Sequence, residues 1–170
     1  MSHIERKKLT SEEVDLLIFD TISFQSLIYV PKKRWLNYKN PHIIREGNSF
    51  VGVCVVYELK DWIKIGPIVV LKKYQGKGYG KKLLYKIAED YRHKNIFITS
   101  SNPNIKKTLD KLNFTYIKNY FSLPFKMKLF LIKQLREHLN LNMLIEFIRK
   151  RSHFKREKRY YYIKYLNKVF

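Results

Sequence analysis

Cysteine is nearly absent from this 170-residue chain: Cys54 stands alone. No intrachain disulfide can form, and no cysteine-rich zinc site. Alanine is as scarce, with Ala88 the single example. Acids number 14 against 35 lysines and arginines. Long hydrophobic runs are missing too. The longest, residues 50–57, is eight residues long, against the ~18 that a membrane helix needs. Residues 1–8 hold no hydrophobic signal core. Six glycines and five prolines leave no room for a flexible linker or a low-complexity tract, and no internal repeat is visible. What remains is 45% apolar and 15% aromatic, ample for one buried core, so wholesale disorder is excluded. The chain reads as a soluble protein of a reducing, cytoplasmic compartment, with one domain over residues 1–170.

The charge is the first positive signal. It sums to +21, which bears on partners and solubility rather than on fold. Part of it reflects composition: 26 lysines, 18 isoleucines and 11 asparagines suggest an AT-rich coding bias. Such a bias inflates glutamate as well, and acids here are few. The excess is also uneven. Residues 1–117 carry 21 basic and 11 acidic side chains, and residues 118–170 carry 14 and 3. Seven basic residues fall within 149–159. A cluster of this kind suits phosphate-rich or acidic partners, so the basic C-terminal third is a candidate surface for RNA, DNA or an acidic protein. A solvated helix end is the plain alternative.

The pattern along the chain alternates strands and helices. Thr10 or Ser11 can cap a helix over about 11–29, with acids in its first turn, broken near 21–23. Residues 3–9 read as a short preceding strand, and 31–41, bracketed by Pro31 and Pro41, as irregular. Residues 42–45 and 50–59 flank Gly47-Asn48, a hairpin signal. Residues 62–71 form a further strand interrupted by Gly66-Pro67; proline cannot donate to a ladder, so the strand should bulge or splay there. A helix follows over about 80–92, then a strand at 95–99, a helix from Pro103 to about 113, and a strand at 114–120. Residues 125–150 carry a helical pattern, divided near 140–142. Residues 159–166 are aromatic and β-branched and read as a last strand. The class is α/β of mixed α+β type: a central sheet flanked by helices, with a helical, basic insertion at 121–158 before the last strand.

One segment carries chemistry. The apolar strand Ile68-Val69-Val70 leads into Gln75-Gly76-Lys77-Gly78-Tyr79-Gly80-Lys81, and that loop opens a helix. Unpaired amides at a helix N-terminus attract anions, and glycines let the backbone approach one closely. Lys77, Lys81 and Lys82 add charge. A phosphate or pyrophosphate site is predicted. The spacing fits neither a P-loop nor G-x-G-x-x-G; it fits Q-x-x-G-x-G through Gln75, Gly78 and Gly80.

That loop resembles the pyrophosphate loop of the GNAT superfamily of N-acetyltransferases. A second stretch, Asn102-Pro103-Asn104-Ile105 through Asp110-Lys111-Leu112-Asn113-Phe114, is similar to that family's N-P-x-A … Y-E-K-x-G-F segment. The two lie in the family's order and separation. The resemblance implies a GNAT-like acyl-CoA N-acyltransferase fold and acetyl-CoA as acyl donor, without a metal. It implies a pantetheine arm paired with the backbone of Ile68, Val69 and Val70 where the fourth and fifth strands part. It further implies pyrophosphate on the amides of Gly76, Lys77, Gly78, Tyr79 and Gly80, beside Gln75 and Lys81, and Asn102 on the pantetheine side. The mechanism it implies is direct attack of an amine on the thioester, with a strand-four amide near Val69 as oxyanion donor.

Two positions depart from the family. Its usual tyrosine acid is replaced by Leu109, and a frequent glutamate base by Lys64. Glu58, Asp61, the tyrosines at 160–162 or water are the substitutes at hand, and no catalytic residue is assigned. Asn113 replaces a glycine and tolerates its left-handed conformation. Without an evident base, an α-amino acceptor with a pKa of ~7.7–8 is favoured over a lysine at ~10.4. The charge favours an acidic or RNA-borne amine. The insertion at 121–158 reads as a lid, a homodimer surface or a docking face. A non-catalytic nucleic-acid-binding protein on the same scaffold is the alternative function. The five histidines have no ligand spacing, Trp35 and Trp62 read as core aromatics, and Cys54 reads as an inert buried thiol.

Overall fold

The computed structural model describes residues 1–21, 30–138 and 160–166. The chain runs β1 (Ser2–Arg6), α1 (Ser11–Thr21), α2 (Lys32–Asn37), β2 (His42–Glu46), β3 (Ser49–Glu58), β4 (Trp62–Val70) and α3 (Tyr79–Asp90). It continues with β5 (Asn95–Ser100), α4 (Lys106–Lys111), β6 (Thr115–Ile117), α5 (Phe125–His138) and β7 (Tyr160–Lys164). The strands form one mixed sheet in the order β1-β2-β3-β4-β5-β7-β6. Only β4 and β5 run parallel; every other pair is antiparallel. The mixed sheet flanked by helices is the expected one.

Alternation along the strands divides the core. One face carries Ile44, Ile63, Ile65, Ile96 and Ile98 against Leu83 and Ile87 of α3 and Leu109 of α4. The other face holds two separate clusters. Val14 and Leu17 of α1 and Trp35 of α2 cover Ile43, Val53, Val55 and Val69. Met127 of α5 covers Trp62, Phe97 and Ile163. Each buried aliphatic side chain contributes about 1.5–3 kcal/mol. Lys64, one step from Trp62 on the same face, falls between these two clusters and is itself buried.

Local chemistry sets the element ends. Glu13 and Thr10 bond each other's backbone in a reciprocal capping box that starts α1. Gly47 with φ +56° turns β2 into β3. Asn113 with φ +59° ends the α4 region in the left-handed conformation expected of it. Two boundaries differ from the sequence reading. The stretch after Pro31 is the helix α2, not irregular: the Pro31 carbonyl accepts from Arg34 and Trp35, and burial of Trp35 anchors the turn. Among the described residues the edge strand β6 has only β7 as partner, and it shrinks to three residues. The helix read over 11–29 is described only to Thr21. Residues 22–29, the continuation read over 139–150 and the basic cluster 149–159 lie outside the described residues.

Gly52 in β3 is fixed by a close approach. A Cβ there would meet the Val69 carbonyl oxygen at 2.4 Å, and backbone cannot step aside. At Gly47 a Cβ would meet nothing within 4 Å. Gly52→Ala is therefore expected to destabilise the fold by roughly 1–3 kcal/mol, and Gly47→Ala by about 1 kcal/mol. Urea denaturation of both variants ranks them. Equal losses would refute the steric argument.

Acid stability follows from two carboxylates and one histidine. The Arg45 guanidinium, which also binds Glu13, holds the Glu5 carboxyl below its ordinary 4.5. The Tyr91 hydroxyl, joined by Lys94, does the same for Glu58. Folded values below unfolded ones mean stability that is complete above the ordinary value and lost as pH falls through the folded one. Burial holds the His42 imidazole below its ordinary 6.5, so the melting temperature should begin to fall below about pH 6.5 and decline further below pH 4.5 as the two carboxylates take up protons. Arg45→Met should flatten part of that decline.

Candidate active site

The ladder between β4 and β5 stops early. Trp62, Ile63, Lys64 and Ile65 pair with Asn95, Ile96, Phe97 and Ile98. Beyond them β4 stays with β3, while β5 continues with β7 through Thr99 and Ser100. The separation begins at Gly66-Pro67, as the sequence suggests; Gly66 takes φ +120°. A notch opens through the sheet and widens into a cavity of about 1310 Å³. Its walls include Leu84, Ile98 and Ile105 on one face, and Tyr38, Tyr57, Lys64 and Leu131 on the other.

Which backbone groups face the notch follows from register. Leu71 N–H donates to the Val51 carbonyl, and Val69 stands opposite Val53. Bonded and non-bonded pairs alternate in an antiparallel ladder. Val69 thus turns its N–H toward β3, and Ile68 and Val70 turn theirs into the notch. The notch-facing amides near Val69 are therefore those of Ile68 and Val70 rather than of Val69 itself. The Val70 carbonyl bears this out by accepting from Gln75 Nε2 at 3.0 Å, a bond that also closes the loop after β4 onto the strand.

The glycine loop lies at one end of this cavity. Gly76 and Gly78 have φ +79° and +82°, and a Cβ on either would meet nothing within 4 Å. Open space lies where side chains are missing, on backbone that other residues rarely adopt. Gly78 caps α3. Its carbonyl takes the first helical bond, from Lys82, so Tyr79, Gly80 and Lys81 have N–H groups without helical partners. The loop is braced from three sides. Lys72 N–H donates to Asp20 at 2.6 Å, the Tyr79 hydroxyl to Glu46 at 2.6 Å, and Lys82 Nζ to Ser2 at 2.8 Å.

The cavity wall includes Ile68, Val69, Val70, Gln75, Gly76, Gly78, Tyr79, Gly80, Lys81 and Asn102. Lys77 is not part of it; its ammonium lies 5.6 Å from the Tyr74 ring centroid. Tyr79 is buried and its hydroxyl engaged by Glu46, which leaves its backbone for the site. Asn102 Oδ1 accepts from Asn104 N–H at 2.9 Å, shaping the turn after β5.

The proton carriers sort clearly. Leu109 is fully buried in the core. Glu58 is held by Arg6, Tyr91 and Lys94, and Asp61 by Lys126. Tyr162 is buried, whereas Tyr161 reaches the cavity. Sequence reasoning missed Tyr38 and Tyr57, whose hydroxyls bond at 3.0 Å. Burial, then the Tyr57 hydroxyl, pushes Tyr38 far up, so it keeps its proton. Lys64 Nζ lies 3.4 Å from the Gly66 carbonyl and 5.1 Å from the Tyr57 ring. No signal marked Tyr38 in a short basic segment, and Tyr57 ended an apolar run like any core residue. Among the described residues no three metal-ligating side chains gather, and no helix is long and apolar enough to cross a membrane.

The profile described as "Acetyltransferase (GNAT) family" matches residues 12–114, more than half of the chain. No curated protein matches by sequence at a significant level. Among solved structures, N-acetylglutamate synthase from Neisseria gonorrhoeae, complexed with coenzyme A and N-acetyl-glutamate, superposes with TM-score 0.68 at 15% identity. That match covers 99% of this chain and 36% of the synthase, so the chain spans about a third of its length. The ribosomal-protein-S18-alanine N-acetyltransferase from Escherichia coli gives TM-score 0.60 at 12% identity, covering 100% of this chain and 99% of that one. A Bacillus subtilis acetyltransferase in complex with CoA gives 0.52 at 21%, covering 69% and 78%. Identities this low speak for the fold.

Cys54 lies in β3 with no exposed surface, and burial pushes its thiol well up. It should react with a thiol reagent at least about a hundredfold more slowly in the native protein than after unfolding. Mass spectrometry of iodoacetamide-treated protein reads this. Rapid native labelling would reopen a nucleophilic role.

Proposed function

The chain belongs to the acetyltransferase (GNAT) family, and we propose that it is an acetyl-CoA-dependent N-acetyltransferase acting on an amine. The observation that carries this is the notch: a cavity through the sheet, walled by β4 backbone that has parted from β5, with an open glycine loop at its end. The residues fit coenzyme A on structural grounds. The N–H groups of Tyr79, Gly80 and Lys81, with the Gly76 and Gly78 cradle, would hold the pyrophosphate, and Lys77 and Lys81 would add charge. The Ile68 and Val70 backbone and Asn102 would hold the pantetheine arm. Acetyl-CoA supplies the acetyl group as a thioester, an acylating agent for amines.

The chain's own residues do the rest. Val69 stays bonded to β3 and keeps the strand rigid, while Ile68 and Val70 present N–H donors on the notch wall. The inert Cys54 supports direct transfer. With Leu109 in the core, hydroxyl-bearing residues that line the cavity away from the glycine loop include Tyr38, Tyr57, Tyr120 and Tyr161. An amine already neutral near pH 8, such as an α-amino group, suits this site better than a lysine side chain. The charge of +21 supports an acidic or RNA-borne acceptor. Helix α5, a described part of the segment read over 121–158, would lie on the acceptor side, since Leu131 and Gln134 line the cavity.

Calorimetric titration of acetyl-CoA tests the proposal, with ATP as control for loose polyphosphate binding. Micromolar saturable binding is expected, weaker for ATP. Gly78→Asp, which places a side chain and a negative charge at φ +82°, should lower affinity at least about a hundredfold, roughly 2.7 kcal/mol. Equal binding of both nucleotides, indifferent to the substitution, would reduce the loop to a turn.

A further inference from the structure

A second cavity, about 510 Å³, adjoins the first on the sheet face that carries α1, α2 and α5. The two share Tyr38, Tyr57 and Gln134 as walls. The hydrogen-bonded Tyr57 and Tyr38 hydroxyls lie at this junction. Its lining is apolar and aromatic: Val55, Leu59, Tyr57 and Phe130, the last two in edge contact at 5.6 Å. Its charge is not balanced. Lys39, just past α2, and Lys133 of α5 line it, are exposed, and have no ion-pair partner among the described residues. Glu58 also lines it, but Arg6 and Lys94 already neutralise that carboxylate.

The glycine loop approaches the notch from its own end, so an acceptor needs a separate way in. We propose that this second cavity is the acceptor site, and that it selects a small amine bearing an anionic group, carboxylate or phosphate. The inference rests on the acetyltransferase reading above. Lys39 and Lys133 hold the anion at the rim. The body of the acceptor lies against Tyr57 and Phe130, and its amine points past the two tyrosine hydroxyls into the notch. The volume falls in the range of small-molecule sites, which suits a metabolite or the first two residues of a peptide rather than a folded RNA. Lys39 and Lys133 come from segments far apart in sequence, so they are specificity determinants assembled by the fold, not a basic run.

The test uses matched C-terminally amidated dipeptides: alanyl-glutamate against alanyl-glutamine, and alanyl-phosphoserine against alanyl-serine. Binding to the protein without cofactor is followed by NMR, and acetylation with acetyl-CoA by mass spectrometry. At least one anionic dipeptide should bind and react with a Kd and KM about tenfold lower than its neutral partner, the size expected for two rim cations together. Which pair discriminates tells carboxylate from phosphate. The Lys39→Glu/Lys133→Glu variant should abolish or reverse the preference, and calorimetry should find acetyl-CoA affinity retained. Equal binding within both pairs, no binding of any dipeptide, or a preference that survives charge reversal would overturn the proposal. Because dipeptide binding is read without cofactor, its failure is distinct from a failure of acetyl-CoA to bind, which would strike the activity itself.

Discussion

Backbone groups leaving a ladder must find other partners or face a ligand or water, and this structure is organised around one such departure. After Ile65 and Ile98 the parallel pair ends, and each strand keeps a single neighbour. On β3, Gly52 lets β4 approach closely enough to hold it in line. On the other side β7 pairs with β5 as far as Ser100 and keeps it extended. Both strands thus stay ordered while they part from each other. The Ile68 and Val70 groups are costly to strand in an apolar core, but inexpensive at the wall of a polar cleft.

The departure also explains the separation of two hydrophobic clusters on one face. Val69 and Trp35 belong to one, Phe97 and Met127 to the other. Lys64 and the two bonded tyrosines occupy the gap. A continuous apolar floor would have closed the passage from one face of the sheet to the other. The polar residues at the gap keep it open, each with a partner of its own.

Much of this was legible in the sequence. Three of six glycines fall within residues 76–80, and such a concentration between an apolar strand and an amphipathic helix has few uses. Gly47-Asn48 announced the hairpin because a two-residue turn demands positive φ. Gly66-Pro67 announced the parting of the strands because proline removes a donor. Local rules govern all of these. The parts that were not legible are assembled over distance. The helix α2 has only six residues and too little periodicity to register; its reason for existing is the pocket that receives Trp35. The Tyr38–Tyr57 bond joins an irregular segment to the end of a strand. The second cavity draws its walls from α2, β3 and α5, and no window of sequence contains them together. The basic cluster at 149–159 was conspicuous in the sequence and lies outside the described residues.

The strand order holds a consequence for biogenesis. β7 lies between β5 and β6, and β6 has no other partner among the described residues. During synthesis β1 through β5 can pair as they emerge from the ribosome, but β6 must wait, unpaired, for more than forty further residues. Until residues 160–164 arrive, β5 presents a bare edge with Phe97 beside it, open to pairing with a foreign strand. Among the described strands the last to be made seals the sheet, so a nascent chain stalled before it would carry a finished glycine loop on an unfinished, adhesive scaffold.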